Sequence, residues 1–394
     1  MLKVHPHILL AFALLTVGAT AAHADYFPAS RTRVPSARAG ALGGRHAALA
    51  DDLDSLFSNP AGFATAQEQL RIAELTLALR GPVFTIAGIA IEGMEGDFDE
   101  VLATDRVSDL VRNLDAGVNL AGPISFGYVG NGLGFGVFNE SDIVMRNEGL
   151  TTIRFVVRER MIIAGGLGLQ VPTGDALPGR LDAGFVLKGF IEGETGFAES
   201  LIELPDTISD AGPGLLMEEP FYLTSGIGAD IGLLYTPMER VSFGLTAMNV
   251  YTPAVRYRYA DVEAFMDNES PEGRETLMVP LELSAGVLYR PPLAFLERHV
   301  SDLKLMFDYR DAVDFLVQPE NSENVLLKFS LGAELTLLRI LALRAGFARG
   351  LPAAGLGVDF GKVRVDAAMF GTELSPEPGL RSVYNILLGV QFNW

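Results

Sequence analysis

The chain of 394 residues contains no cysteine, a single tryptophan, and only 30 lysines and arginines against 49 acidic residues. Without cysteine there is no disulfide framework, no thiolate metal site, no cysteine nucleophile and no cysteine to carry a lipoprotein anchor. The formal charge of −19 repels a phosphate backbone, so nucleic acid is not an expected partner. Long apolar runs are scarce as well. After residue 24 no window of roughly 18 residues is both apolar and free of charge, although mean hydropathy is positive at +0.27. Beyond residue 24 only His46 and His299 remain, far apart in sequence, which disfavours a histidine-rich metal site and limits any Ser-His-Asp triad to one of these two.

Other chemistry is equally thin. The runs Gly132-x-Gly134-x-Gly136 and Gly40-x-x-Gly43-Gly44 lack the following Lys-Ser/Thr and the βαβ setting of a phosphate cradle. The acid pairs Asp51-Asp52 and Glu218-Glu219 are adjacent, so on a strand their side chains point oppositely; they read as solvated or lumenal charge rather than acid/base machinery. No enzyme activity, metal or cofactor is expected.

What the chain does contain begins with a targeting segment. Met1 to Ala24 joins a weakly basic start (Lys3) to an apolar stretch from Ile8 to Val17 and the small-residue ending Ala22-His23-Ala24, the form of a removable secretory signal. The run is shorter than the roughly 20 apolar residues that a membrane-spanning helix needs.

Past that point the recurrent signal is alternation. Tyr384, Ile386, Leu388, Val390, Phe392 and Trp394 share one face of a strand, while Asn385, Leu387, Gly389, Gln391 and Asn393 share the other. Leu303, Leu305, Phe307 and Tyr309 oppose Lys304, Met306, Asp308 and Arg310; Phe329, Leu331, Ala333, Leu335 and Leu337 oppose Lys328, Ser330, Gly332, Glu334 and Thr336. A soluble sandwich shows the same period. Three features favour an all-β transmembrane antiparallel barrel. The alternating segments reach about ten residues or more, the length a tilted strand needs to cross a bilayer. The off-face is rich in glycine as well as charge, as at Gly226, Gly228 and Gly232 around Asp230, which suits a crowded interior. The chain also ends on Phe392 and Trp394, an apolar-face terminus suited to the outer-membrane assembly machinery.

Turn signals divide the chain into about 14 strands, an even number as such barrels require. The first is expected over 70–92, bent at Gly81-Pro82; the next over 121–130, 132–146, 152–171 and 181–192, and a later one over 277–291. Asn131-Gly132, Pro237-Met238-Glu239 and Gly361 are expected as short periplasmic turns. Residues 193–221 and 253–276 are expected as long outer links, the first with a short amphipathic helix through Phe197, Ser200, Leu201 and Leu204, and a similar helix is expected over 97–116. Three regions follow: a signal peptide at 1–24, a plug or hatch at 25–69, and the barrel at 70–394.

The hatch region carries a resemblance. The stretch Ala39-Gly40-Ala41-Leu42-Gly43-Gly44, then Ala48-Leu49-Ala50-Asp51-Asp52, then Ser58-Asn59-Pro60-Ala61-Gly62 resembles the start of the outer-membrane long-chain fatty-acid transporter (FadL-like) superfamily. Gly228-Ala229-Asp230-Ile231-Gly232-Leu233-Leu234-Tyr235, Asn249-Val250 with Pro253, and Leu343-Arg344-Ala345-Gly346-Phe347 with Gly355-Leu356-Gly357 are similar to its PorV/PorQ and UPF0164 branch. The resemblance implies a 14-stranded barrel whose hatch holds an Asn-Pro-Ala tripeptide, here Asn59, Pro60 and Ala61. The family's substrate-pocket residues have no one-to-one match in this chain.

A lumen-facing network of mixed charge is expected from Asp230, Asp308, Arg310, Glu334, Arg344 and Asp359, with Lys188, Glu282, Arg290, Lys304, Lys328, Arg364 and Asp366 on the same faces, serving mainly to anchor the hatch. The expected function is passive passage of hydrophobic molecules such as long-chain fatty acids through the outer membrane, with membrane lipid around the barrel. The alternative is a PorV-like partner-binding barrel serving a secretion system or outer-membrane assembly.

Overall fold

A computed structural model of the chain describes residues 27–28, 34–95, 110, 114–147, 152–174, 177–200, 216–292 and 300–394. The expected signal peptide lies outside them. Alternating segments pair edge to edge because a strand's backbone donors and acceptors must find partners where no water reaches them. Apart from a two-residue strand, Phe27–Pro28, which pairs in parallel with Leu277–Met278, the strands in chain order are β1 (Gln69–Arg80), β2 (Asp115–Gly130), β3 (Leu133–Asn147), β4 (Thr152–Val171), β5 (Arg180–Ser200) and β6 (Phe221–Met238). They continue as β7 (Val241–Tyr251), β8 (Pro253–Tyr259), β9 (Gly273–Met278), β10 (Glu282–Tyr289) and β11 (Val300–Tyr309). The last five are β12 (Phe329–Leu337), β13 (Leu341–Ala348), β14 (Leu351–Asp359), β15 (Val363–Glu373) and β16 (Ser382–Asn393).

The ring closes where β16 pairs with β1, from Asn385↔Arg80 to Asn393↔Arg71, and where β10 pairs with β7, from Glu282↔Met248 to Tyr289↔Val241. Strands β7 and β8 are two parts of one stave interrupted at Thr252; β9 and β10 are two parts of another, interrupted at 279–281 around Pro280, which has no N–H to donate. The result is a closed antiparallel barrel of 14 staves. The short turns expected from sequence join strands at one end, with Asn131 (φ 52), Gly132 (φ 81) and Gly361 (φ 85) in the left-handed region that tight hairpins need. Gln69 and Asn393 lie at that same end.

Four expectations of detail are corrected. The first strand stops at Arg80, and Val83–Glu95 forms a helix, α2. Gly81 turns the chain at φ +72, Pro82 precedes the first helical residue, and the apolar run that follows fits either periodicity, so local geometry decides. Strand β2 begins at Asp115 rather than near 121, while most of the helix expected over 97–116 lies outside the described residues. The helix expected from Phe197 is strand as far as Ser200, because Phe197 stacks on Phe155 of β4 at 4.9 Å; residues 201–215 lie outside the described residues. The link 253–276 is largely a β8–β9 hairpin carrying a short helix at Val262–Met266.

Side chains sort by face. On the outside Ile163, Leu187, Ile227, Leu331, Leu343 and Leu388 stand well exposed, Ile227 at 70%. On the inside Asp230, Asp308 and Ser330 are fully buried. An apolar band of this extent, encircling a ring with a polar interior, is a surface for hydrocarbon rather than water.

The facing makes a direct prediction. Leu388→Arg, at an outward position 54% exposed, sets a cation in the apolar band and should cost about 2–4 kcal/mol at mid-bilayer depth. Its measure is loss of the heat-modifiable folded form on gels; normal insertion of this variant would refute the assigned facing.

Candidate functional site

Residues 34–66 do not join the barrel wall; they run across its inner face. The path begins with a one-turn helix, α1 (Ala37–Ala41), whose start is capped by Ser36, with the Ala39 N–H donating to Ser36 Oγ at 3.3 Å. Two 3₁₀ turns follow at Leu53–Phe57 and Pro60–Ala64, begun by Asp52 and Asn59 in the same way. Small side chains are what allow this route. Inward glycines of the wall stand beneath it: a Cβ on Gly346 would lie 2.3 Å from Gly43 N, one on Gly244 2.1 Å from Ala47 O, one on Gly232 2.0 Å from Asn59 Oδ1 and one on Gly184 2.3 Å from Pro60. Between these approaches Leu53, Leu56, Phe57 and Phe63 pack against Val129, Phe138, Ile162 and Val186 of the wall.

Asn59 and Pro60 make a turn against the inner face of β5 and β6. Asn59 is completely buried, with φ −146 and ψ 105, the extended conformation imposed on a residue before proline. Its amide is fully used: Nδ2 donates to Ala47 O at 2.6 Å and to Leu233 O of β6 at 3.0 Å, and Oδ1 accepts from Ala61 N at 3.0 Å. Pro60 opens the second 3₁₀ turn, where its missing N–H is no loss. Ala61 is fully buried.

Charge holds the segment at a second place. Arg38 donates to both oxygens of Glu334 on β12, Nε to Oε2 at 2.9 Å and Nη2 to Oε1 at 2.7 Å, while its Nη1 reaches Asp51 at 2.7 Å and Asp52 at 2.6 Å. Lys304 on β11 bridges Asp51 (2.8 Å) and Glu334 (3.0 Å), and Arg344 on β13 joins Glu334 (2.8 Å) to Asp366 (2.6 Å) on β15. Burial alone would raise the Asp51 carboxyl, but the Arg38 and Lys304 cations outweigh it and hold it well below the usual carboxylate range. At Asp52 burial, reinforced by Asp54 and Asp51, prevails over Arg38 and pushes the carboxyl up. Further along, His46 Nε2 donates to the Leu42 carbonyl at 2.9 Å, and Nδ1 meets Asp308 Oδ2, whose other oxygen accepts from Ala47 N at 2.6 Å.

The expected charge residues therefore fall into separate places. Glu334 and Arg344 lie in the Arg38 cluster, and Asp308 holds His46. Asp230 is paired with Lys188 at 2.8 Å and accepts from Asn249 N at 2.6 Å, beside an irregularity in the β6–β7 ladder where Asn249 has φ 57. Asp359 is exposed and accepts from Gly361 N at 2.7 Å, a turn contact outside the cluster. Arg310 follows the end of β11 and makes neither contact. Arg38, Asp51 and Asp52 were visible in the sequence as a basic stretch and an acid pair; that they meet Glu334, almost 300 residues away, was not.

Three cavities frame these contacts. One of about 420 Å³ lies in the lumen toward the long links, between the N-terminal segment and strands that include β1, β13 and β16. One of about 350 Å³ lies beside the Arg38 cluster, lined mostly by polar and charged side chains. The third, about 530 Å³, is cut into the outer wall and is almost wholly apolar. Its ridges are Met161 and Ile163 of β4, Ile191 of β5 and Ile227 of β6; Gly189 and Ser225, small at outward positions, leave the trough; Phe190 and Ala254, whose side chains are buried, form its floor together with the backbone of Gly226. No reading of the alternation singled out this groove, whose only signal was two small residues at outward positions. Among the described residues no group of three His, Asp or Glu is placed to hold a metal ion.

No protein-family model matches the chain, and no curated protein matches it. Solved structures do. The CymD monoaromatic hydrocarbon channel is 13% identical over 90% of this chain and 95% of its own, with a TM-score of 0.47. The Ralstonia pickettii toluene transporter TbuX is 12% identical over 90% and 97%, with a TM-score of 0.46. A Pseudomonas aeruginosa FadL homologue is 12% identical over 93% and 99%, with a TM-score of 0.43.

Two substitutions test the docking of the segment. Arg38→Ala leaves Glu334, Asp51 and Asp52 short of their shared cation and should destabilise the docked segment by about 3–5 kcal/mol. Gly184→Ala sets a Cβ against Pro60 and should cost about 1–3 kcal/mol by overpacking. In both, limited proteolysis within residues 34–66 is expected to quicken while the barrel keeps its folded gel mobility; unchanged cleavage rates would refute the arrangement.

Proposed function

We propose that this chain is an outer-membrane β-barrel channel for passive uptake of hydrophobic molecules, long-chain fatty acids among them, with residues 25–69 acting as a hatch in its lumen. The observation that carries this reading is the apolar groove in the wall. The lumen is occupied by the N-terminal segment and its paired charges, a poor route for an apolar solute, since each polar group along it would lose its partners to let the solute by. The groove is different: its ridges face hydrocarbon and its floor is formed by the buried side chains of Phe190 and Ala254. Each CH₂ buried there is worth roughly 0.8 kcal/mol, so a modest trough holds an acyl chain or a small hydrocarbon without any energy source.

The PorV-like reading keeps one observation in its favour. Strands β4, β5 and β6 have 20, 21 and 18 residues, about twice what a bilayer crossing needs, so this side of the wall rises well clear of the apolar band and offers a surface to a partner.

The test is uptake of labelled fatty acid and of labelled toluene by cells lacking their own transporter, with surface amounts matched. Gly189→Leu fills the trough without moving backbone, since a Cβ there meets nothing nearer than Gly226 O at 4.0 Å. Uptake by the native chain and a several-fold fall in Gly189→Leu are expected. A correctly inserted barrel that takes up neither probe would overturn the reading, and secreted proteins that co-purify with it would then favour the partner-binding one.

A further inference from the structure

The outer faces of β4, β5, β6, β8 and β9 order their side chains around the wall groove, because pairing in register lays them out as rungs. Met161, Ile191, Ser225, Val255 and Thr276 are successive partners across these five strands, and all of them line the groove. Two residues further toward the long links, Glu159, Gly193, Leu223, Tyr257 and Arg274 make the next rung on the same face. This upper rung ends the apolar band. On β4 the outward positions from Leu169 up to Met161 carry no charge, and Glu159 is the first that does.

The polar groups of the two rungs differ in what they meet. Glu159 is engaged by Ser141 and by Asn139 at 3.4 Å, and four strand spacings set it about 19 Å from Arg274. Arg274 is exposed, with its guanidinium 5.8 Å from the centroid of the Tyr257 ring, and it has no ion pair with a described residue. Glu272, two residues before it, pairs with Arg258 at 3.8 Å, and Glu275 alternates to the opposite face. The hydroxyls of Ser225 and Thr276, on either side of Val255, have no hydrogen-bond partner among the described residues and are the one polar feature of an otherwise apolar trough.

We propose that the groove and the rung above it seat a phosphorylated acyl-ester lipid of the leaflet at the end of the long links, with its phosphate on Arg274, its ester carbonyls at the Ser225 and Thr276 hydroxyls, and an acyl chain in the trough. The inference rests on the reading of the groove as a trough facing hydrocarbon, and it concerns a resident lipid rather than the solute that passes. One rung is about 6.6 Å along a strand, which matches the few bonds between a lipid phosphate and its ester groups. A guanidinium forks onto two phosphate oxygens, and the Tyr257 ring steadies its plane. A hydrocarbon satisfies none of these polar groups, and a free fatty acid has no ester below its head group. In a chain of formal charge −19 an anionic lipid is repelled by the surface as a whole, so its retention depends on this local cation.

The test is native mass spectrometry of the full chain in detergent micelles with dioleoyl phosphatidate and, for comparison, dioleoylglycerol, which lacks only the phosphate. Phosphatidate is expected to be held about tenfold more tightly, the ratio that one charge-assisted hydrogen bond supplies. Arg274→Gln should bring it down to the level of dioleoylglycerol, and Arg274→Lys should keep part of the preference. Gly189→Leu, which fills the trough, and the double variant Ser225→Ala with Thr276→Val should each weaken both lipids several-fold; folded gel mobility verifies every variant. Equal retention of the two lipids by the native chain, a preference unchanged in Arg274→Gln, or retention unchanged in either of the other variants overturns the proposal. The outcome is separate from uptake: a chain that takes up neither fatty acid nor toluene but prefers phosphatidate loses only the transport reading, and uptake without that preference removes only the lipid site.

Discussion

The interior of this protein depends on one close approach, that of the backbone of residues 34–66 to the inner face of the wall. A ring of 14 staves encloses more space than its own inward side chains can fill. The segment lies within that space, at distances that leave no room for a side chain at Gly184, Gly232, Gly244 or Gly346. The same approach that gives van der Waals contact also removes water, so polar groups trapped between segment and wall must find partners within the protein. Asn59, with both halves of its amide engaged, and Arg38, spread over Glu334, Asp51 and Asp52, are the consequence.

Around that interior the ordinary polarity of a protein is turned outside in. Leu187, Ile227 and Leu388 face outward, where a soluble protein would place charge, and Asp230, Asp308, Glu334 and Arg344 face inward, where it would place leucine. The charge network is therefore a product of the barrel's solvent. With hydrocarbon outside, the one face left for ionised groups is the lumen, and there Glu334, Arg344, Lys304, Asp230 and Lys188 each meet an opposite charge. This division also separates two kinds of cavity. The apolar trough lies in the wall at Gly189 and Ser225, and the cation-rich cavity lies inside at Arg310.

Much of the architecture was legible along the chain because alternation is a local property. Side chains at i and i+2 share a face whatever the rest of the fold does, so the facing of Leu388 against Gln391, the short turn at Asn131-Gly132 and the count of staves could be read directly. The reading failed where a residue's local pattern fits two structures. Val83–Glu95 is apolar enough for either a strand or a helix, and the turn at Gly81 and Pro82 decided for the helix. Phe197 has helical spacing to its neighbours, yet the stacking partner Phe155 on β4 keeps that stretch in the sheet to Ser200. Residues 253–276 were expected as a link, but Pro253 opens a strand at the break between two parts of one stave, where its lack of a donor does little harm.

By itself the sequence determined which face meets hydrocarbon in strands such as those at 303–310, 329–337 and 384–394, that these are long enough to span it, and that a segment rich in small residues precedes the barrel, since all of these follow from residue type and a period of two. Only the tertiary structure decided which inward glycine lies under which residue of that segment, that Arg38 meets Glu334, that Asp359 stays at a turn outside the cluster, and that Arg310 is left facing a cavity. Those outcomes depend on the register of strands hundreds of residues apart once the ring has closed, and no local pattern carries that register.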